Sequence, residues 1–498
     1  MNSTGRTIAK NAGVLMGSQL ITWVMALVIT IVVPRYLGAT VIGKYQLAGS
    51  LLMIIGIIAS FGIERFITKE VARDHGKIST LFGTIFFLRL GMYLLGYVIL
   101  AFYIYLMKYP VDTIYIILIF LVSYLIEQAA SLCMAALQGL EKMEYLSLSA
   151  IVCKIFSVVT SLVLVLLKQS VYAIAAVNVG AALINLFIVG SALQRMQKIP
   201  LKFNPGLVKW IYQNSLPYML TTVFLVVYMR IDIIIISWLT NEKEIGWYSS
   251  ASTLFGTMLF VPTIFMTAVF PALSRMYVSG ADATFKVLRK SLDLLLVIGI
   301  PIGLGVLAIA DPLVILLYGP DFTGSGPILA IMGIVMIFTY LTILLGQYLI
   351  SIDRQVIWTW VMAVATVATV PLDLIFIPWC HDVLGNGAIG GALSFVVTEL
   401  GKVIAGFFCL PIGLLQWANI RLALKTLAAG LIMTAVVWQL RHYFIAIPIA
   451  AGGVIYVAVI LLFKVIPHED WALLKSLGMG LLARFTRGKF RPNGVSRQ

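Results

Sequence analysis

Residues 42–52 read IGKYQLAGSLL, and residues 245–255 read IGWYSSASTLF. Across this offset of 203 residues Ile42, Gly43, Tyr45, Ala48 and Leu51 return as Ile245, Gly246, Tyr248, Ala251 and Leu254, each set opening a long apolar stretch. A second echo, LQGLEK at 137–142 against LISIDR at 349–354, places an acidic and then a basic residue at the end of the fourth span of each half. Its larger offset implies an insertion between the two echoes. Halves with an even number of spans enter and leave on the same side, so any axis relating them runs along the membrane normal.

The composition around the repeat fits only a membrane solvent. Apolar residues make up 61% of the 498-residue chain and charged residues 11%, about half the charge of an average globular domain. Mean hydropathy is +1.03, and the apolar residues gather in runs of about 20. Spans are expected near 13–33, 45–62, 81–106, 112–138, 145–167 and 171–193, then, after a polar linker, near 211–238, 246–270, 288–310, 325–349, 356–377, 387–410, 422–440 and 445–466. The first is too long for a signal-peptide core. The expected fold class is therefore all-α, a polytopic membrane protein of about 14 transmembrane helices. Its expected divisions are 1–193 and 210–410 for two six-helix halves, a basic linker at 194–209, two further helices within 411–466, and a basic amphipathic tail at 467–498 lying along the membrane face.

The net charge of +15 records topology. Of 35 lysines and arginines, 25 fall in one alternating set of loops and the tail, six in the other set, and four within spans. The positive-inside rule then puts both termini in the cytoplasm, and the basic charge calls for no nucleic acid.

Nothing points to an enzyme, a cofactor or a metal. Cys133, Cys153, Cys380 and Cys409 stand singly, and no nucleophile-elbow, zinc or phosphate-loop motif is present. The chemistry lies instead in ionisable residues inside spans: Arg89, Glu127, Lys154, Arg230, Asp232, Glu399 and Lys402. Each is costly in hydrocarbon, so each is expected to face a bundle interior or a wet cavity. Arg89 and Lys154 stand roughly 12 to 14 Å from the basic ends of their spans, level with one another. Glu399 and Lys402 are three residues apart and can neutralise each other on one helix face. Arg230 and Asp232 point apart, so each needs another partner. Arg35, after Pro34 at a span end, either snorkels or joins the site.

PRYLGATVIGKYQLA at 34–48 and FGIERFITKEVAR at 61–73 resemble the opening of the bacterial polysaccharide and O-antigen flippases, of the multidrug/oligosaccharidyl-lipid/polysaccharide exporter superfamily. YMRIDIIIISWL at 228–239 and FPALSRM at 270–276 resemble that family's seventh span and the end of its eighth. The resemblance implies two six-helix lobes forming a V, and an inner-membrane protein that flips an oligosaccharide carried on a polyprenyl diphosphate. It implies substrate contacts at Arg89, Lys154, Arg230, Lys402 and Arg35, and binding of H⁺ or Na⁺ at Glu127, Asp232 or Glu399 if transport is ion-coupled. Glycosyltransferases and a polysaccharide polymerase acting on the same lipid are the implied protein partners, beside the membrane lipids. The competing expectation is an H⁺- or Na⁺-coupled multidrug antiporter of the same superfamily, which would depend on the carboxylates more than on the cations.

Overall fold

The computed structural model describes residues 22–196, 201–279, 281–411, 414 and 416–465. Within hydrocarbon no water satisfies backbone N–H and C=O groups, so each apolar run closes its hydrogen bonds upon itself as a helix. In chain order these are α1 (Thr22–Leu37), α2 (Ala39–Ser60), α3 (Ile63–Arg73), α4 (Lys77–Met107), α5 (Val111–Gly139), α6 (Met143–Leu166) and α7 (Val171–Met196). They continue as α8 (Val208–Leu239), α9 (Glu242–Met258), α10 (Phe260–Ser279), α11 (Ala281–Tyr318), α12 (Ser325–Ser351), α13 (Gln355–Leu384), α14 (Ala388–Phe408), α15 (Trp417–Leu440) and α16 (Ala446–Leu462). No strand occurs among the described residues. Twelve helical stretches are long and apolar enough to cross a membrane, with α1 and α16 as shorter apolar helices. The chain is a multi-pass membrane protein.

The helices run alternately between two ends. At the Gly38 end, Arg35 donates to Leu316 O and Tyr36 to Gln169 O, both at 2.9 Å, and Trp247 donates to Asp321 O at 2.9 Å. At the opposite Arg73 end, Phe61 packs edge-on against Tyr212 and Phe66 against Trp210, joining α3 to the start of α8.

The repeat seen in the sequence meets itself in space. A Cβ on Gly43 would lie 1.9 Å from Glu242 O, and one on Gly246 would lie 1.9 Å from Ala39 O. Both pairs, 43 with 246 and 39 with 242, are separated by the same 203 residues, so the contact is reciprocal, each glycine seated on the carbonyl four residues before its counterpart. Because α2 and α9 both start at the Gly38 end, the twofold relating them lies along the bundle. The second echo is equally concrete. Glu141 and Asp353 adopt left-handed φ values of 57° and 60°, and the next residue's N–H reaches back to Leu137 O at 3.0 Å and to Leu349 O at 2.8 Å. Both helices thus end in the same six-to-one turn.

Span edges differ from the sequence expectation by several residues, and two differences have clear causes. The span expected at 246–270 is two helices, broken at Leu259, because the Pro262 ring collides with the carbonyl of residue 258 in an unbroken helix. Residues 63–73, expected as loop, form α3, which buries Ile63, Phe66, Ile67 and Val71 along one face at helical spacing. The first part of the expected first span, part of the linker and the tail at 467–498 lie outside the described residues.

Candidate functional site

The four cations expected inside spans divide into two kinds. Arg89 on α4 is only 3% exposed and pairs with Glu64 on α3 at 2.9 Å. The same Nη2 contacts Gln128 and Ser131 on α5, the guanidinium lies 6.0 Å from the centre of the Tyr93 ring, and Nε and Nη1 are buried. Lys402 on α14 is 4% exposed, 2.6 Å from Glu399, with its ammonium 4.0 Å from the centre of the Tyr228 ring. Lys154 on α6 and Arg230 on α8 are half-buried, and neither makes an ion pair among the described residues. Lys154 opens into a cavity of about 360 Å³ along the seam of α1 and α6, with Thr22, Trp23, Cys153 and Ser157. Arg230 lies within electrostatic reach of Tyr124 on α5 and Tyr248 on α9. Arg35 stands apart, exposed and bound to the last turn of α11.

The carboxylates also differ. Glu399 is fully buried and fully occupied: Oε1 accepts from Lys402 and, at 3.2 Å, from Tyr228, and Oε2 accepts from Thr342 at 3.0 Å. Glu127 on α5 accepts from Asn185 on α7 at 2.9 Å, and Asn185 also contacts Ser149 on α6. Asp232 on α8 accepts from Tyr248 but leaves Oδ1 without a donor. It faces Asp373 on α13, a fully buried residue with the Ser394 hydroxyl of α14 also beside it.

A family model described as "Polysaccharide biosynthesis protein" matches residues 8–277, more than half of the chain. The chain belongs to this family. No curated protein matches the sequence, and the solved structures of similar fold are distant in sequence. The lipid II flippase MurJ in an inward closed conformation superposes with a TM-score of 0.71 at 16% identity, over 93% of this chain and 100% of that one. A multidrug resistance MATE family transporter of the MOP superfamily, inward-facing, gives 0.62 at 14% identity over 78% of this chain and 93% of that one. The eukaryotic MATE transporter AtDTX14 gives 0.56 at 12% identity, over 85% and 99%. This polysaccharide biosynthesis protein therefore has the fold those transporters share.

Two charged partners in this member of the family escaped the sequence reading. Asp373 sits in VPLDLIFIP at 370–378, an acid in an apolar stretch, the same signal that marks Asp232. Glu64 gave no such signal, because its segment looks like a charged loop until α3 folds it under α4.

The Glu399–Lys402 pair yields a stability prediction. Removing one member of a buried ion pair leaves the other uncompensated, at about 3–5 kcal/mol, whereas replacing both by apolar residues is close to neutral. Glu399→Leu is expected to lower the thermal midpoint of the detergent-purified protein sharply, and Glu399→Leu with Lys402→Met to restore most of it. Equal midpoints for the single and double variants would refute the coupling.

Proposed function

We propose that this protein is a flippase carrying a polyprenyl-diphosphate-linked oligosaccharide, an O-antigen or other surface-polysaccharide repeat unit, from the cytoplasmic to the outer leaflet of the bacterial inner membrane. Residues 1–193 and 210–410 act as two lobes around the α2–α9 axis, and alternate opening at the two ends moves the head group across. The basic loops gather at the Arg73 end, which supports placing that end in the cytoplasm.

The observation that carries this reading is the pair of uncompensated cations, Lys154 from the first lobe and Arg230 from the second. An unpaired charge at membrane depth is retained at a cost unless a ligand meets it, and a diphosphate is the anion such a lipid brings. Arginine adds a two-pronged donor matched to phosphate oxygens. Arg89 and Lys402, held by their own carboxylates, shape the walls behind these contacts, and Arg35 ties α1 to α11. No nucleic acid, cofactor or catalytic residue enters the scheme. The lobes draw on an H⁺ or Na⁺ gradient through Asp232 and Asp373, the observation that would also suit a cation antiporter. Glycosyltransferases and a polymerase stand before and after it in polymer assembly.

The test is complementation of a deletion strain, with lipid-linked glycan accumulation and inserted protein measured together. Lys154→Ala and Arg230→Ala are each expected to reduce export at least tenfold with unchanged protein level, and Arg230→Lys to restore only part of it. Full export by both alanine variants, accompanied by drug resistance that depends on Asp232, would favour the antiporter.

A further inference from the structure

A second cavity, of about 120 Å³, lies at the Gly38 end just beneath the reciprocal glycine contact. Its walls come from both lobes: α1, α2, α6 and α7 on one side, α9 and α11 on the other. Ser250 and Tyr318 are each 2% exposed, line this cavity, and have hydroxyl oxygens without a hydrogen-bond partner among the described residues. Thr30, Gln46 and Ser161 add further polar groups, while Val33, Ile42 and Ile174 supply apolar wall. Among the described residues no Asp, Glu, Lys, Arg or His lines it.

This chamber lies further along the same α1–α6 seam as the Lys154 cavity, with no lining residue in common. On α1 the lining passes from Thr22, Trp23 and Ala26 beside Lys154 to Ile29, Thr30 and Val33 here, one helix face followed for three turns. On α6, Ser161 stands two turns beyond Lys154 on the same face, roughly 10 Å further along. A charged station and a neutral, hydroxyl-lined station thus lie in tandem on one seam.

Resting on the flippase reading, we infer that this chamber is a sugar subsite that seats one uncharged sugar residue of the lipid-linked oligosaccharide, close to the diphosphate, while Lys154 holds the diphosphate. A pyranose presents hydroxyl edges and apolar C–H faces, which is the mixture the walls offer. Buried hydroxyls left unpaired are costly unless a ligand or water completes them. The volume excludes a whole oligosaccharide and suits a single residue. The absence of charge on the walls disfavours a uronic acid, whose carboxylate would go unpaired there.

The experiment compares two probes on the full-length purified protein: the glycan-bearing polyprenyl diphosphate extracted from the producing strain, and bare polyprenyl diphosphate. Ser250→Ala with Tyr318→Phe removes both hydroxyls at nearly constant shape. It is expected to weaken binding of the glycan-bearing lipid about tenfold, the effect of two lost hydrogen bonds, and to leave bare polyprenyl diphosphate unchanged. Thr30→Val, measured alongside, is expected to act in the same direction. Lys154→Ala should weaken both lipids alike. Because the two hydroxyls have no partner among the described residues, thermal stability should not fall. Unchanged binding of both lipids, or equal weakening of both, means that the chamber holds only water and overturns the subsite. Failure of the native protein to bind either lipid overturns the flippase reading itself.

Discussion

Gly246→Leu is expected to reduce export to below a hundredth of the native rate while the protein still inserts and folds. The substituted carbon would sit 1.9 Å from Ala39 O, a backbone atom on a packed helix, so neither a rotamer change nor a side-chain shift relieves the clash. The only relief is separation of α2 from α9, which holds the Gly38 end open. Gly43→Leu should behave alike, since its own Cβ would meet Glu242 O at the same distance. A cysteine placed at Thr253, on the chamber wall, is the reporter. In an otherwise cysteine-free protein, a membrane-impermeant maleimide applied from outside should label it quickly in Gly246→Leu and slowly in the parent. Native export by Gly246→Leu, or labelling indistinguishable from the parent, would show that this contact takes no part in closure.

Asp373→Asn is expected to remove ion-driven transport, by tenfold or more, and to leave binding of the lipid intact. Two carboxyl groups that face each other in a dry interior repel strongly unless a proton or a monovalent cation lies between them. Tyr248 donates to Asp232 and the Ser394 hydroxyl lies beside Asp373, and among the described residues neither carboxylate has a cationic partner. Asparagine keeps the shape but abolishes the charge that makes the cation necessary. In proteoliposomes, export by the native protein should respond to an imposed H⁺ or Na⁺ gradient, and Asp232→Asn and Asp373→Asn should both lose that response. Glu399→Gln should retain it, because Glu399 is already satisfied by Lys402, Tyr228 and Thr342. A gradient response that survives in Asp373→Asn but disappears in Glu399→Gln would move the coupling site to α14.

Most of the fold was legible because the bilayer allows few solutions. A run of about 20 apolar residues has to be a helix there, and the lysines and arginines mark the loops. The Gly43 and Gly246 echo was also legible, although nothing in one dimension says that the two copies touch. Charge pairing was much less so. Glu399 and Lys402 announce themselves by their spacing, whereas Arg89 finds its carboxylate 25 residues away on α3, and Asp232 finds Asp373 across 141 positions. Such partners are set by helix packing, which the local pattern does not encode. The polar lining of the small chamber was invisible for the same reason: serine, threonine and tyrosine are unremarkable in any one helix and acquire meaning only where six helices converge.

The reciprocal glycine contact is the kind two identical subunits make across a dyad, and a homodimer is bound to repeat every other feature across that dyad as well. Two halves on one chain are free of that obligation. Counting 203 positions between the halves, Ser250 stands where the first half has Leu47, and Trp247 where it has Lys44. Tyr45 and Tyr248 are counterparts too, yet one hydroxyl accepts from the Asn178 amide and the other donates to the Asp232 carboxylate. The paired contact at the axis is thus matched between the halves, while the flanking positions hold different residues with different partners. The lipid proposed above as cargo has no symmetry of its own, and on that reading one chain can meet it with one carboxylate pair and one neutral chamber where a dimer would be forced to build two of each.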